Sequence, residues 1–346
     1  MRTRGPRLPM ALAMLFVVMS SACSSVVAGV AEPSGSGASS GGAKDSQRTI
    51  TLGDVRTVDV CGLTPVEALS SIGRVENRAS ISGVNSCQRT INIEVDAGSG
   101  QKRVVGVLDY TLTLTSPIES AEWLRKSYPT EFSQGRRGAT TTYQGKTADG
   151  GCMRLANADQ GQLQVVVKKR RPETQGDACA TADAAFDAVL ASVLSDTPIP
   201  RRPTVANSIV NLDPCALVTP EMVRASYTKE LQASPQISVF SCAFGGPGRG
   251  MVLVKVAHML VPGRLPLFPG TKVTTIAGRP ATENLMGPRC VVELGHIATD
   301  PPADAELPYL ESVHFHYTTQ IDDSATACEQ TTKLAAAVAA KLPPIS

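Results

Sequence analysis

Eight cysteines in two matched sets of four constrain this chain more than any other feature. Cys61, Cys87, Cys152 and Cys179 form one set, and Cys215, Cys242, Cys290 and Cys328 the other. The interval from Cys61 to Cys87 nearly equals that from Cys215 to Cys242, and the flanking residues agree as well as the spacing. Cys61-Gly62-Leu63-Thr64-Pro65 aligns with Cys215-Ala216-Leu217-Val218-Thr219-Pro220, with one residue inserted. Gln144 to Ala148 aligns with Ala277 to Ala281 ahead of the third cysteine. Cys179 and Cys328 each open an alanine-rich stretch. The pattern predicts an internal duplication. Its expected parts are a first copy over residues 51–196, a Pro-rich linker over 197–210 and a second copy over 211–346. Ser195 to Pro203 holds three prolines, which exclude regular helix and sheet there. The second copy is expected to fold on its own.

No two of these eight cysteines are close enough to form the tight knuckles of a tetrahedral metal site. In an exported chain, an even number at repeated spacings implies disulfides. Four cysteines per copy allow three pairings. The favoured one joins first to second and third to fourth.

Export is predicted by the N-terminus. Arg2, Arg4 and Arg7 precede an apolar run from Leu8 to Met19 that ends in small residues. This is a signal peptide over residues 1–22, too short to span about 30 Å of hydrocarbon as a lasting anchor. Ser20-Ser21-Ala22-Cys23 resembles the lipobox of bacterial lipoproteins, whose cysteine becomes the lipidated first residue, although Ser20 stands where an aliphatic is usual. Ser20-x-Ala22 also fits ordinary cleavage, which releases a secreted protein. Lipidation is favoured because Cys23 is the ninth, odd cysteine. A Ser/Gly-rich tether also follows it, over residues 23–50. The expected location is therefore the extracytoplasmic face of the cell membrane. The Gly37-x-Ser39-x-Gly41 match inside the tether lacks the strand and helix that a nucleophile elbow requires.

Each copy reads as the same order of elements. Thr64 and Thr219 stand as helix N-caps before Pro65 and Pro220, and Glu67 completes a capping box in the first copy. Strands are expected around Cys87 and Cys242, over Val104–Leu114 and Met251–Val261, after Cys152 and Cys290, and over Leu163–Lys168 and Val313–Ile321. A helix closes each copy. The fold class is α+β, two tandem homologous domains, each a mainly antiparallel curved sheet with packed helices and two disulfides. The stretch from Cys87 to Cys152 in the first copy is longer than its counterpart from Cys242 to Cys290. The extra length is expected to hold a helix from Pro117 to Tyr128, opened at Ser116 and carrying the one tryptophan, Trp123.

Asp213 to Glu221, with the next cysteine at Cys242, is similar to a domain of unknown function common in actinobacterial cell-envelope lipoproteins. More distantly it resembles the extracellular sensor domains of mycobacterial receptor kinases. The first copy departs from the motif at Asp59-Val60. The resemblance implies a fold and no activity.

The net charge of +2, near neutral without the leader arginines, leaves no footprint for nucleic acid. Lys168 to Arg171 reads as a strand end running into solvent, and Gly245 to Gly250 as a hairpin turn. All four histidines, His258, His296, His314 and His316, fall in the second copy. His314 and His316 share one strand face but have no acidic or third imidazole ligand nearby in sequence, and they are expected to face solvent while Val313, Phe315 and Tyr317 face the core. The first copy has no histidine, and every second-copy cysteine has a matched partner, so no nucleophile is indicated and no cofactor is implied. The expected function is a non-catalytic binding or sensor protein of the envelope. The alternatives are an assembly lipoprotein scaffolding a membrane complex and, last, a hydrolase. The expected partners are the membrane, through the lipid anchor, and an envelope ligand or membrane-protein partner. Because Trp123 and Tyr128 lie five apart on different helix faces, one can pack inward while the other contacts a partner across residues 117–143.

Overall fold

The computed structural model describes residues 48–346 apart from 77–79, 117, 129, 204, 229, 234–237, 247–249, 261–268, 300–308, 320–323 and 346. The signal, Cys23, the Gly37–Gly41 match and nearly all of the tether lie outside the described residues.

Two antiparallel sheets carry the fold, each with helices packed on it. The first half runs through a 3-10 turn (Val55–Thr57), α1 (Val66–Ser70), β1 (Arg74–Val75), β2 (Ser80–Gly83), β3 (Ser86–Asp96) and β4 (Lys102–Thr115). It continues through α2 (Ala121–Ser127), β5 (Thr130–Arg137), β6 (Thr140–Lys146), β7 (Cys152–Asn157), β8 (Gln162–Lys169) and α3 (Ala178–Leu194). The second half runs through α4 (Pro214–Leu217), α5 (Pro220–Ser226), β9 (Gln232–Ala233), β10 (Ser241–Gly246), β11 (Gly250–Leu260) and β12 (Lys272–Ile276). Then follow β13 (Arg279–Met286), β14 (Arg289–Thr299), β15 (Tyr309–Thr318) and α6 (Ser324–Ala339). The first sheet is ordered β1-β3-β4-β8-β7-β6-β5, with β2 also on β3. The second is ordered β9-β10-β11-β15-β14-β13-β12. Taken strand by strand, the two orders are the same.

The disulfides join the same elements in each half. Cys61–Cys87 and Cys215–Cys242 tie the incoming segment to β3 and β10. Cys152–Cys179 and Cys290–Cys328 tie β7 and β14 to α3 and α6. First joins second and third joins fourth, as the order of elements implied. Each sheet buries one face under its long helix, with Leu108, Leu112, Val165 and Val167 in one core and Val292, Leu294, Val313 and Phe315 in the other.

Local capping departs from the sequence reading in two places. Thr219 caps α5 by accepting from the Met222 amide at 3.4 Å, as expected. Thr64 instead turns its hydroxyl back to the Val60 carbonyl, and α1 has no side-chain cap, so the box with Glu67 does not close. The insert helix begins at Ala121, not Pro117. Ser120 is its cap, accepting from the Trp123 amide at 3.1 Å.

The two halves share a seam. The Pro-rich segment lies against the first half: Asp59 N–H donates to the Pro200 carbonyl, Arg202 N–H to the Thr57 carbonyl, and the Arg201 guanidinium to the Leu52 and Asp54 carbonyls. Val210, at the end of that segment, and Phe240, beyond it, pack into the core of the first half. In return β2 lies beside β11. A carboxylate fastens each incoming chain: Asp159 accepts from Leu52 N–H at 2.8 Å, and Glu311 accepts from Ser208 Oγ at 2.6 Å and Ile209 N–H at 2.8 Å.

Because Phe240 is 3% exposed yet belongs to the opposite half's core, Phe240→Ala is expected to destabilise the protein by about 3 to 5 kcal/mol. Both halves should then unfold in one earlier transition. Calorimetry showing one half melting at its original temperature would contradict this coupling.

Candidate functional site

The insert helix α2 lies on the face of the first sheet opposite α3. Cys152 and Arg154 point toward α3, through the disulfide and the Arg154–Asp183 ion pair, so Met153 and Leu155 point the other way. There they meet Leu124 and Tyr143 in a small second core, with Ala121, Tyr128 and Phe132 packed around it. The spacing 121, 124, 128 sets one stripe of α2 against the sheet. Tyr128 is half-buried and its hydroxyl accepts from Gln164 Nε2 at 2.9 Å. Trp123 falls on the opposite side of the helix and is 48% exposed, with Ile118 just ahead of the helix at 44%. One aromatic is thus inward and the other outward. The Arg125 guanidinium lies 5.6 Å from the centre of the Phe132 ring, a cation–π arrangement.

The second sheet's corresponding face carries a polar cluster. Ser312 and His314 on β15 and Glu293 and Thr282 on the neighbouring strands share it. Ser312 Oγ is 2.8 Å from His314 Nε2, His314 Nδ1 is 3.5 Å from Glu293 Oε1, and Thr282 donates to Glu293 Oε2 at 3.2 Å. Burial raises the Glu293 carboxyl above the usual range, with the Thr282 bond opposing. His316 is held by Arg289, and its ring stacks 6.1 Å from that of His314. Val313, Phe315 and Tyr317 do face the core, but His314 does not face solvent as expected: its side chain is only 12% exposed. The acidic neighbour that local spacing lacks is Glu293, which stands opposite His314 on the preceding strand, β14. Only strand pairing brings it in.

This is a hydroxyl–imidazole–carboxylate relay in geometry. Ser312 is 0% exposed, however, so its hydroxyl is not presented to a substrate; the relay orients His314 within the fold. The Arg289 guanidinium beside His316 also disfavours a cation there. Among the described residues, no three His, Cys, Asp or Glu side chains converge as metal ligands. His258 lies in β11, across from Glu311.

His296 is a second buried imidazole. Its Nε2 lies 2.5 Å from the Asn207 carbonyl and its Nδ1 2.7 Å from Arg279, which also donates to the Leu342 and Pro343 carbonyls. An arginine can only donate and a carbonyl only accept, so the tautomer is the neutral Nε2–H form.

At the seam, Arg89 and Tyr110 are cross-strand partners in the first core, where the equivalent pair in the second sheet is Phe244 and Val252. Asp59 and Tyr309 lie within electrostatic reach of Arg89, and both also act on Arg202. Burial pulls Arg202 down to about 10 and pushes Tyr309 up to about 12.

A cleft of about 490 Å³ opens beside Cys152 and Cys179, lined among others by Lys146, Lys169, Asp149 and Asp177. Its cations and helix end are already engaged. Asp177 accepts from the Cys179 and Ala180 amides, Lys146 pairs with Glu131, and Lys169 donates to the Thr174 carbonyl. Lys168 and Arg170 pair with Asp149 and Asp109, which offsets two of the four cations at this end of β8. Gly246 pairs with Gly250 at the end of β10 and β11, as a hairpin requires.

No family model, no curated protein and no solved structure matches the chain.

Burial lowers the His296 pKa, with Arg279 adding to the effect and the Asn207 bond opposing it. A folded-state value below the unfolded one of about 6.5 gives stability that is full above that pH. That stability is lost as pH falls through the folded value. The melting temperature should fall below pH 6.5, and less steeply in His296→Gln. Equal slopes for the two proteins would show that His296 does not contribute.

Proposed function

We propose that the chain is a non-catalytic, lipid-anchored binding protein of the cell envelope, built from two copies of one domain and held outside the membrane at Cys23. The observation that carries the binding role is Trp123. The one tryptophan of a chain with 4% aromatic residues stands on the outer side of an insert helix that the second half does not match among its described residues. Indole supplies much contact area at little entropic cost, and an isolated outward tryptophan contributes little to a fold.

The duplication is supported by the identical strand order and by disulfides that join equivalent elements. Such disulfides persist in an oxidising compartment, in keeping with the export signal. The domain is read as the cell-envelope type that the Asp213–Glu221 motif resembles. Tyr128 serves the recognition surface by fixing α2 from beneath.

Cys23→Ala should move the protein from the membrane fraction to the medium, or leave it unprocessed. A mutant that fractionates and migrates like the wild type would rule out lipidation at Cys23.

A further inference from the structure

The surface that Trp123 marks also has a charge and a position. On α2, Lys126 shares the outer side with Trp123, and Arg125 flanks it above Phe132. On β5, the edge strand of the first sheet, Gln134 pairs with Tyr143, so Arg136, two residues on, lies on the α2 side. Arg125 and Arg136 have no carboxylate within ion-pair distance among the described residues; Arg136 donates only to the Ala139 carbonyl. Lys126 meets Glu122 at 3.8 Å with both side chains 81% exposed, a pairing that solvent renders weak. The exposed patch therefore combines an indole and an isoleucine with three cations against two carboxylates, Glu122 and the half-buried Glu119 beside Ile118.

Its position follows from where the chain enters the fold. Arg48 donates to the Leu194 carbonyl, and Ile50 bridges to Ala158 and accepts from the Asp159 amide at the β7–β8 turn. Gln162, at the same turn, donates to Asn157 and to the Glu119 carbonyl, one residue beyond Ile118. The segment that leads back to Cys23 thus leaves the body at the end of the sheet where the lead-in to α2 is fastened. Any membrane tether would deliver this end first.

We propose that Ile118, Trp123, Arg125, Lys126 and Arg136 form a docking surface for a layer of anionic phospholipid headgroups, which orients the body on its membrane. The proposal rests on the envelope-anchored reading and names what the α2 surface binds. The indole and isoleucine would sit at the headgroup boundary while the guanidinium and ammonium groups contact phosphate, an arrangement favoured at an anionic interface.

The test uses the chain from residue 23 onward carrying Cys23→Ser, so that no lipid anchor contributes. It should sediment with vesicles of equal parts phosphatidylglycerol and phosphatidylcholine, and not with phosphatidylcholine alone. Trp123 emission should shift to the blue and become shielded from iodide. Arg125→Gln with Arg136→Gln should weaken partitioning on the order of tenfold. Trp123→Ala should abolish the interaction and Trp123→Phe should retain part of it. These positions are exposed, and unchanged circular dichroism will verify that the variants fold. Failure to bind anionic vesicles, equal binding to neutral ones, or binding indifferent to these substitutions overturns the proposal. Release of Cys23→Ala from cell membranes alongside such a failure would remove the docking surface and leave the anchor standing.

Discussion

A disulfide clamps each long helix to its sheet over a packed face that mixes alanine with larger apolar side chains. The face of α3 against the first sheet sets Ala178, Ala182 and Ala185 beside Phe186, Val189, Leu190 and Val193, and α6 sets Ala327, Ala335 and Ala339 beside Leu334 and Val338. Alanine brings backbones close but removes little area from water per residue. Each helix is also fixed to its sheet by a covalent bond, Cys152–Cys179 or Cys290–Cys328. Closing these loops restricts the unfolded chain, worth roughly 3 to 4 kcal/mol each in the chain-entropy model. The other two bonds do the same for the incoming segments. These crosslinks add to the packing of both helices, and an oxidising compartment is where they last.

The seam adds a different constraint. Arg89 sits in a core position where the second sheet has Phe244, and a buried cation costs several kcal/mol unless its surroundings are polar. Asp59 and the phenols of Tyr110 and Tyr309 supply such surroundings, and Tyr309 comes from the other half. The first half therefore takes Phe240 from the second into its own core, and Tyr309 into the surroundings of Arg89. Residues 204–346, taken alone, would leave Phe240 and Val210 facing water. The expectation of a free second copy misses this, because nothing in the spacing of cysteines or prolines reports which side chains cross between halves.

Much of the frame was legible because it depends on local periodicity and on repetition. The strand runs and the terminal helices follow from local periodicity, and the favoured pairing of cysteines from the matched order of elements in the two copies. Capping was less legible. Thr64 and Thr219 carry the same Thr-Pro signal, yet the residue inserted after Cys215 changes the approach of the chain, and only Thr219 faces its helix. The histidine face was legible only by half: the alternation of Ser312, His314 and His316 places them together, but Glu293 joins them through strand register. Trp123 required the contacts of Leu124 and Tyr128 before its outward direction could be assigned.

The two halves differ most where they are least constrained by the shared core, on the second face of each sheet. At matched positions Leu155 and Tyr143 stand in one, Glu293 and Thr282 in the other. An apolar second face needs a cover, and α2 provides it. Once α2 is present, its outer side becomes new surface, free of any packing duty. A polar second face can satisfy itself through its own hydrogen bonds, as Ser312, His314, Glu293 and Thr282 do. The same topology thus yields one half that offers a raised aromatic surface and another that turns its polar groups inward. The outward surface of the first half is a consequence of covering leucine and tyrosine.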